Sequence, residues 1–197
     1  MTLDQNQVRA TIELARVLDA LGLRYVVGGS MAASLWGEPR FTRDSDFAVD
    51  LALDRVDELV AALQGDWYVD RESIVEAVRR RRGFNIFTRT GFSKVDVYVP
   101  PDEGIHPNKW GRAQRRTVAG TQISITSSED IVLQKLDWFR QGGEQMNQQL
   151  IDVVEVLRTR GSKIDDAYLD EWAARIGVAD LLERVRASAR PRDVGDA

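Results

Sequence analysis

The sequence contains no cysteine and one histidine, His106. The first absence excludes disulfides and thiolate metal sites. The second leaves too few nitrogen ligands for a zinc centre, which takes several Cys or His side chains. Any metal is therefore expected to be a hard cation held by carboxylates. Long apolar runs are missing as well, so no segment is expected to cross a bilayer. Residues 1–7 are polar and lack the basic-then-apolar order of a secretory leader, which points to the cytoplasm. Positive charge is not in excess. The formal net charge of −4 argues against broad non-specific nucleic-acid binding, which rests on phosphate neutralisation. Two basic groups, Arg79 to Arg82 and Arg112, Arg115 and Arg116, are read as solvated helix surface. No repeat or low-complexity tract occurs.

What is present suffices for one core with a smaller lobe: 197 residues, 43% of them hydrophobic. Val8, Ile12, Ala15, Leu18 and Leu21 recur at helical spacing and predict a helix over 5–21, ended by Gly22. A short strand over 24–27 runs into Gly28-Gly29-Ser30, and a helix follows over 31–36. Residues 46–51 alternate as a strand. Asp54 is expected to cap the next helix. A short strand over 67–69 and a helix over 73–81 follow. Strands over 84–89 and 94–99 flank a turn at 90–93. A last strand covers 122–125, and the pattern is helical from Ser127 onward. The expected architecture is α/β, a mixed twisted sheet with flanking helices and a C-terminal helical lobe. The expected boundaries are a core over 1–126, a lobe over 127–188 and a flexible tail over 189–197.

Chemistry concentrates in Arg40-Phe41-Thr42-Arg43-Asp44-Ser45-Asp46-Phe47 and in Lys94-Val95-Asp96-Val97. Alternate side chains of a strand share a face, so Asp44 and Asp46 point one way and Phe47 and Val49 the other. Two carboxylates on one face repel unless a cation neutralises them, and magnesium does so. Asp96 sits mid-strand among Val95, Val97 and Val99. If its strand lies beside the Asp46 strand, a three-carboxylate site results, suited to two-metal displacement at phosphorus. Gly28 and Gly29 let the backbone approach a phosphate. The helix after them presents free N–H groups, and Ser30 can donate from amide and hydroxyl.

Gly-Gly-Ser, then Arg-x-Thr-Arg-Asp-Ser-Asp, then Lys-Val-Asp-Val resembles the DNA polymerase beta-like nucleotidyltransferase superfamily. The likeness extends over roughly 24–182 and is greatest to the minimal bacterial branch that includes abortive-infection nucleotidyltransferase toxins. The resemblance implies phosphate binding by Gly28, Gly29 and Ser30, and magnesium or manganese binding by Asp44 and Asp46. It makes Asp96 a metal ligand and base. It also implies a nucleoside triphosphate such as ATP, a hydroxyl acceptor (RNA such as tRNA, a protein or a small molecule such as an aminoglycoside), and a cognate antitoxin as partner. Ser45 stands where the family's common pattern has an apolar residue between the paired acids. A second reading keeps the fold but makes it a non-catalytic nucleotide- or partner-binding module.

In the following helix, Ile131, Val132, Leu136, Trp138 and Phe139 mark a buried arc with Lys135 inside it. A lysine there either snorkels to solvent or meets an anion, and triphosphate is the natural one. Lys135→Met is then expected to leave the fold little changed, by about 1.5 kcal/mol or less. The toxin-like branch has a matching lysine and an acid on the next helix, which corresponds to Asp152. Trp110, with Lys109 and Arg112, either stacks a base or closes a small apolar cluster.

Overall fold

Alternation of apolar and polar residues builds the sheet. The computed structural model describes residues 4–40, 42, 44–101 and 110–189. Seven strands occur among them: β1 (Tyr25–Val27), β2 (Asp44–Val49), β3 (Trp67–Tyr68), β4 (Gly83–Thr88), β5 (Lys94–Tyr98), β6 (Gln114–Val118) and β7 (Thr121–Ile125). They form one sheet in the order β3-β4-β5-β2-β1-β7-β6. β2 is parallel to β5 and β1 to β7, and the other neighbours are antiparallel. The helices are α1 (Gln5–Ala20), α2 (Gly29–Trp36), α3 (Val56–Leu63), α4 (Arg71–Arg80), α5 (Ser128–Gln141), α6 (Asn147–Arg160), α7 (Asp166–Arg175) and α8 (Ala179–Ala189). This is the mixed α/β architecture that the sequence implies. The chain divides into two compact units, Met1–Ala32 with Pro39–Ser127, and Ala33–Glu38 with Ser128–Ala197.

In the first unit, one face of the sheet is core. Ser45, Phe47 and Val49 of β2 are buried, as are Val95 and Val97 of β5. α1 packs on β2, β5 and β7, and α4 packs on β4. Each such large apolar side chain contributes about 1.5–3 kcal/mol when fully buried. α1 starts because Asp4 accepts from the amides of Asn6 at 2.9 Å and Gln7 at 3.4 Å. Its buried face is wider than apolar spacing indicates and includes Gln7 and Thr11.

Three local expectations are corrected. Asp54 does not cap a helix: it lies in the 3-10 turn Leu53–Arg55, and α3 starts at Val56 without a side-chain cap. Arg115 and Arg116 lie on strand β6, not on a helix. Gln114 to Thr117 are all exposed, so β6 carries no apolar alternation, and its pairing with β7 alone makes it a strand. β2 begins at Asp44 rather than at residue 46, because Asp44 pairs with Lys94 of β5. His106 and Lys109 lie outside the described residues, as do Phe41, Arg43 and residues 190–197 of the expected tail.

The second unit is helical, with α6 packed on both α5 and α8. Ile131, Val132, Leu133, Leu136 and Phe139 of α5 are buried, and Leu133 takes the core place expected of Trp138, which is half-buried. A side chain at Gly37 would lie 3.0 Å from the α6 backbone at Glu155 and Val156, so the close approach needs glycine. Among the described residues no helix is long and apolar enough to cross a membrane.

Tyr25 of β1 is 4% exposed. Burial pushes its phenol up to about 12 from the ordinary 10.0. The folded state therefore favours the neutral phenol, and the associated stability is complete below pH about 10 and lost as pH rises through about 12. Tyr25→Phe is expected to flatten that part of the stability–pH curve, as measured by urea unfolding across the range. An unchanged slope would contradict the assignment.

Candidate functional site

β1 delivers the chain to the glycines. The Gly28 amide donates to the Asp46 carbonyl at 2.8 Å, and the Gly28 carbonyl accepts from the Ala32 amide at 3.0 Å as α2 begins. Gly28 therefore joins strand pairing to helix initiation, and its own N–H is engaged. The amides of Gly29, Ser30 and Met31 are first-turn groups without an intrahelical acceptor. Gly29 has φ +57°, a left-handed conformation. A Cβ built there would lie 1.7 Å from Asp46 Oδ2. The carboxylate thus occupies the space that a side chain would fill. Ser30 Oγ accepts from Arg40 Nη2 at 2.7 Å. Arg40 belongs to the Arg-x-Thr-Arg stretch, yet sequence reasoning gave it no role.

Register then places the acids. Asp46 is the direct partner of Asp96 across parallel β2 and β5, and Asp44 is the partner of Lys94. These four residues alternate with buried Ser45 and Val95 and so share the half-exposed face. Lys94 Nζ lies 2.9 Å from Asp96 Oδ2. That hydrogen bond raises the lysine pKa above its usual range, assisted by the charges of Asp96, Asp44 and Asp46. An ammonium therefore offsets part of the negative charge of the carboxylate face in this structure. Expected facing is present, but gathering is not. Among the described residues, no three His, Asp or Glu side chains come together as a metal-holding group. The donors are nonetheless hard oxygens on a face that already draws a cation, with Asp46 seated in a cradle only glycine leaves open. That donor set suits magnesium or manganese.

Sequence reasoning missed what stands behind this face. Ser45 is fully buried. Its Oγ accepts from Gln7 Nε2 at 2.8 Å and lies 2.6 Å from Thr11 Oγ1. Gln7 Nε2 also donates to the Lys94 carbonyl at 2.8 Å. One amide on α1 thus ties both acid-bearing strands together. The polar residue between the paired acids is matched by two polar residues on the helix that covers it, as a buried hydroxyl requires.

In the second unit, Lys135 is 1% exposed and does not snorkel to solvent. Its Nζ lies 2.7 Å from Asp152 Oδ2 and donates to Gln149 Oε1 at 2.9 Å. Asp152 Oδ1 accepts from Gln148 Nε2 at 2.9 Å. On α6, Asp152, Val153, Val156 and Leu157 are buried, while Ile151 is exposed. Trp110, in the first unit, carries the Arg24 guanidinium 5.7 Å from its ring centroid.

No protein-family model and no curated protein matches the sequence. Solved structures do match it. An antigenic nucleotidyltransferase-like protein from Paracoccidioides brasiliensis superposes with a TM-score of 0.57 at 17% identity, over 99% of this chain and 99% of that one. The antibiotic-resistance factor ANT(2'')-Ia gives a TM-score of 0.56 at 14% identity, over 92% of this chain and 98% of its own. The lincosamide antibiotic adenylyltransferase LnuA, with lincomycin bound, gives 0.52 at 10% identity, over 79% and 98%. The chain has the nucleotidyltransferase fold.

Two substitutions test this geometry. Gly29→Ala is expected to cost about 1–2 kcal/mol from its left-handed backbone and to displace the Asp46 carboxylate. Thermal melts with and without manganese check both effects, and a wild-type melt with a wild-type manganese response would contradict them. Lys135→Met is not mild in this setting, because it strands a buried Asp152. A loss of about 3–5 kcal/mol is expected. The double variant Lys135→Met/Asp152→Leu should recover part of it in urea unfolding. A single variant as stable as wild type would show that the pair is not the constraint described.

Proposed function

We propose that this chain, which has the nucleotidyltransferase fold, transfers a nucleotidyl group from a nucleoside triphosphate to an acceptor hydroxyl on RNA, a protein or a small molecule. One observation carries the reading. Asp46 is seated on Gly29 and aligned with Asp96 across β2 and β5, beside the helix start that holds Ser30. Carboxylates of β2 and β5, first-turn amides of α2 and the Ser30 hydroxyl are then carried by neighbouring elements of the first unit.

Gly29 and Ser30 bind phosphate through first-turn amides, and the Ser30 hydroxyl adds a further donor. Gly28 contributes by having no side chain at the strand-to-helix junction. Asp44, Asp46 and Asp96 would hold magnesium or manganese, which when bound neutralises phosphate charge and favours an ionised acceptor oxygen. A carboxylate oxygen of Asp96 takes the acceptor proton. The acceptor oxygen bonds to the α-phosphorus, the P–O bond to the β-phosphate breaks, and pyrophosphate leaves with the electron pair. Positioning and charge stabilisation do the work, since the chain supplies no covalent intermediate.

The likeness to the toxin-containing branch supports ATP as a donor, Lys135 and Asp152 as nucleotide contacts, a tRNA acceptor and an antitoxin partner, and the lack of cysteine suits a cytoplasmic setting. Lys94 supports a second reading, a nucleotide- or partner-binding module without turnover, because it already neutralises Asp96.

Triphosphate labelled at the α-phosphate, incubated with total RNA and a protein panel, separates the two. Transfer is expected from α-labelled but not γ-labelled triphosphate, with loss in Asp46→Asn. A magnesium–ATP complex should also raise the melting temperature, as any ligand of the folded state does, and less so in Asp46→Asn. Equal responses in wild type and Asp46→Asn would contradict the proposed site.

A further inference from the structure

The carboxylate face continues past Asp96 onto β4 and β3. Asn85 is the cross-strand partner of Asp96, and Phe87 that of Lys94. Tyr68 is in turn the partner of Phe87. Cross-strand partners share a face, so one row runs Asp46, Asp96, Asn85 and the adjacent row Asp44, Lys94, Phe87, Tyr68. The second row ends in two large rings left in solvent, with Tyr68 48% and Phe87 40% exposed. The Arg89 guanidinium lies 4.4 Å from the Tyr68 ring centroid. Trp67, on the opposite face of β3, is 2% exposed and backs the platform from the core. Gln64, Trp67, Tyr68, Asn85, Phe87 and Arg89 line a groove of about 590 Å³.

We infer that this groove is an acceptor subsite that stacks the terminal base of a single-stranded RNA whose hydroxyl lies at Asp96. The inference rests on the transfer reading above and selects one acceptor class from it. Adjacent strands stand about 5 Å apart, and Phe87 lies diagonally from Asp96 at about 7–8 Å. That is the reach of one nucleoside from its sugar hydroxyl to its base. Exposed aromatic faces backed by a rigid core are stacking surfaces for planar rings, and an arginine beside them adds a cation for the backbone phosphate. The Asn85 side chain adds a donor and an acceptor on the Asp96 row. Charge also discriminates. The other charged group lining the groove, Asp70, is engaged as the cap of α4, accepting from Glu72 N and Ser73 Oγ. Arg89 is then the cation lining the groove, set beside two flat rings, which suits a nucleotide's phosphate and base better than a polycationic sugar.

The probe is a 5′-labelled single-stranded RNA oligonucleotide with a free 3′-hydroxyl, titrated by fluorescence anisotropy against wild type, Phe87→Ala, Tyr68→Ala and Phe87→Leu. Each alanine variant is expected to weaken binding by about five- to a hundredfold, the scale of one lost base–aromatic stack. Phe87→Leu keeps the apolar volume and removes the ring, so it should weaken binding while melting like wild type. The thermal response to magnesium–ATP should persist in all three. Unchanged RNA affinity in the variants overturns the subsite and leaves the transfer reading standing. So does a wild type that binds no RNA but passes label to a protein or an aminoglycoside. A wild type without any magnesium–ATP response overturns the transfer reading and this inference with it.

Discussion

The first unit is organised around one close approach, the Asp46 carboxylate against the backbone of Gly29. A left-handed glycine after β1 turns the chain into α2 and leaves the space that the carboxylate fills. The Gly28 amide bonds the Asp46 carbonyl from the same junction. Strand pairing, helix start and acid placement therefore share three consecutive peptide units. Any side chain at Gly29 disturbs all of them, because backbone and carboxylate cannot both yield.

Charge has to be balanced wherever acids are placed close together. On the sheet face the balance comes from Lys94, which lies in register with Asp44 and bonds Asp96. Behind that face, Ser45 has no charge but still needs partners, and Gln7 and Thr11 supply them from α1. Within the helical unit, Lys135 and Asp152 neutralise each other out of water. Burying one of these charges alone would cost several kcal/mol. Each pair therefore also specifies which faces of its elements turn inward.

The acid-bearing strands were legible in sequence because their cause is local. Valine and phenylalanine alternate with carboxylates, and a period of two assigns the faces of β2 and β5 whatever lies beside them. The Gly-Gly-Ser junction was legible for the same reason, since few residues accept a left-handed turn between strand and helix. β6 was not legible: its exposed polar residues become a strand only through hydrogen bonds to β7. Gln7 and Thr11 were invisible to hydrophobic periodicity, which counts apolar residues and treats a polar one as solvent-facing.

Sequence by itself thus determined the α/β class, the acids that share a face and the position of Lys135 on a buried arc. These follow from backbone periodicity and the cost of wetting apolar side chains. Tertiary structure decided the rest: that Asp46 stands opposite Asp96 and Asp44 opposite Lys94, that Arg40 reaches Ser30, and that Lys135 meets Asp152. Those pairings join residues 10 to 50 positions apart. A chain's local pattern says which side a residue faces, but only the packing of distant segments says what it faces.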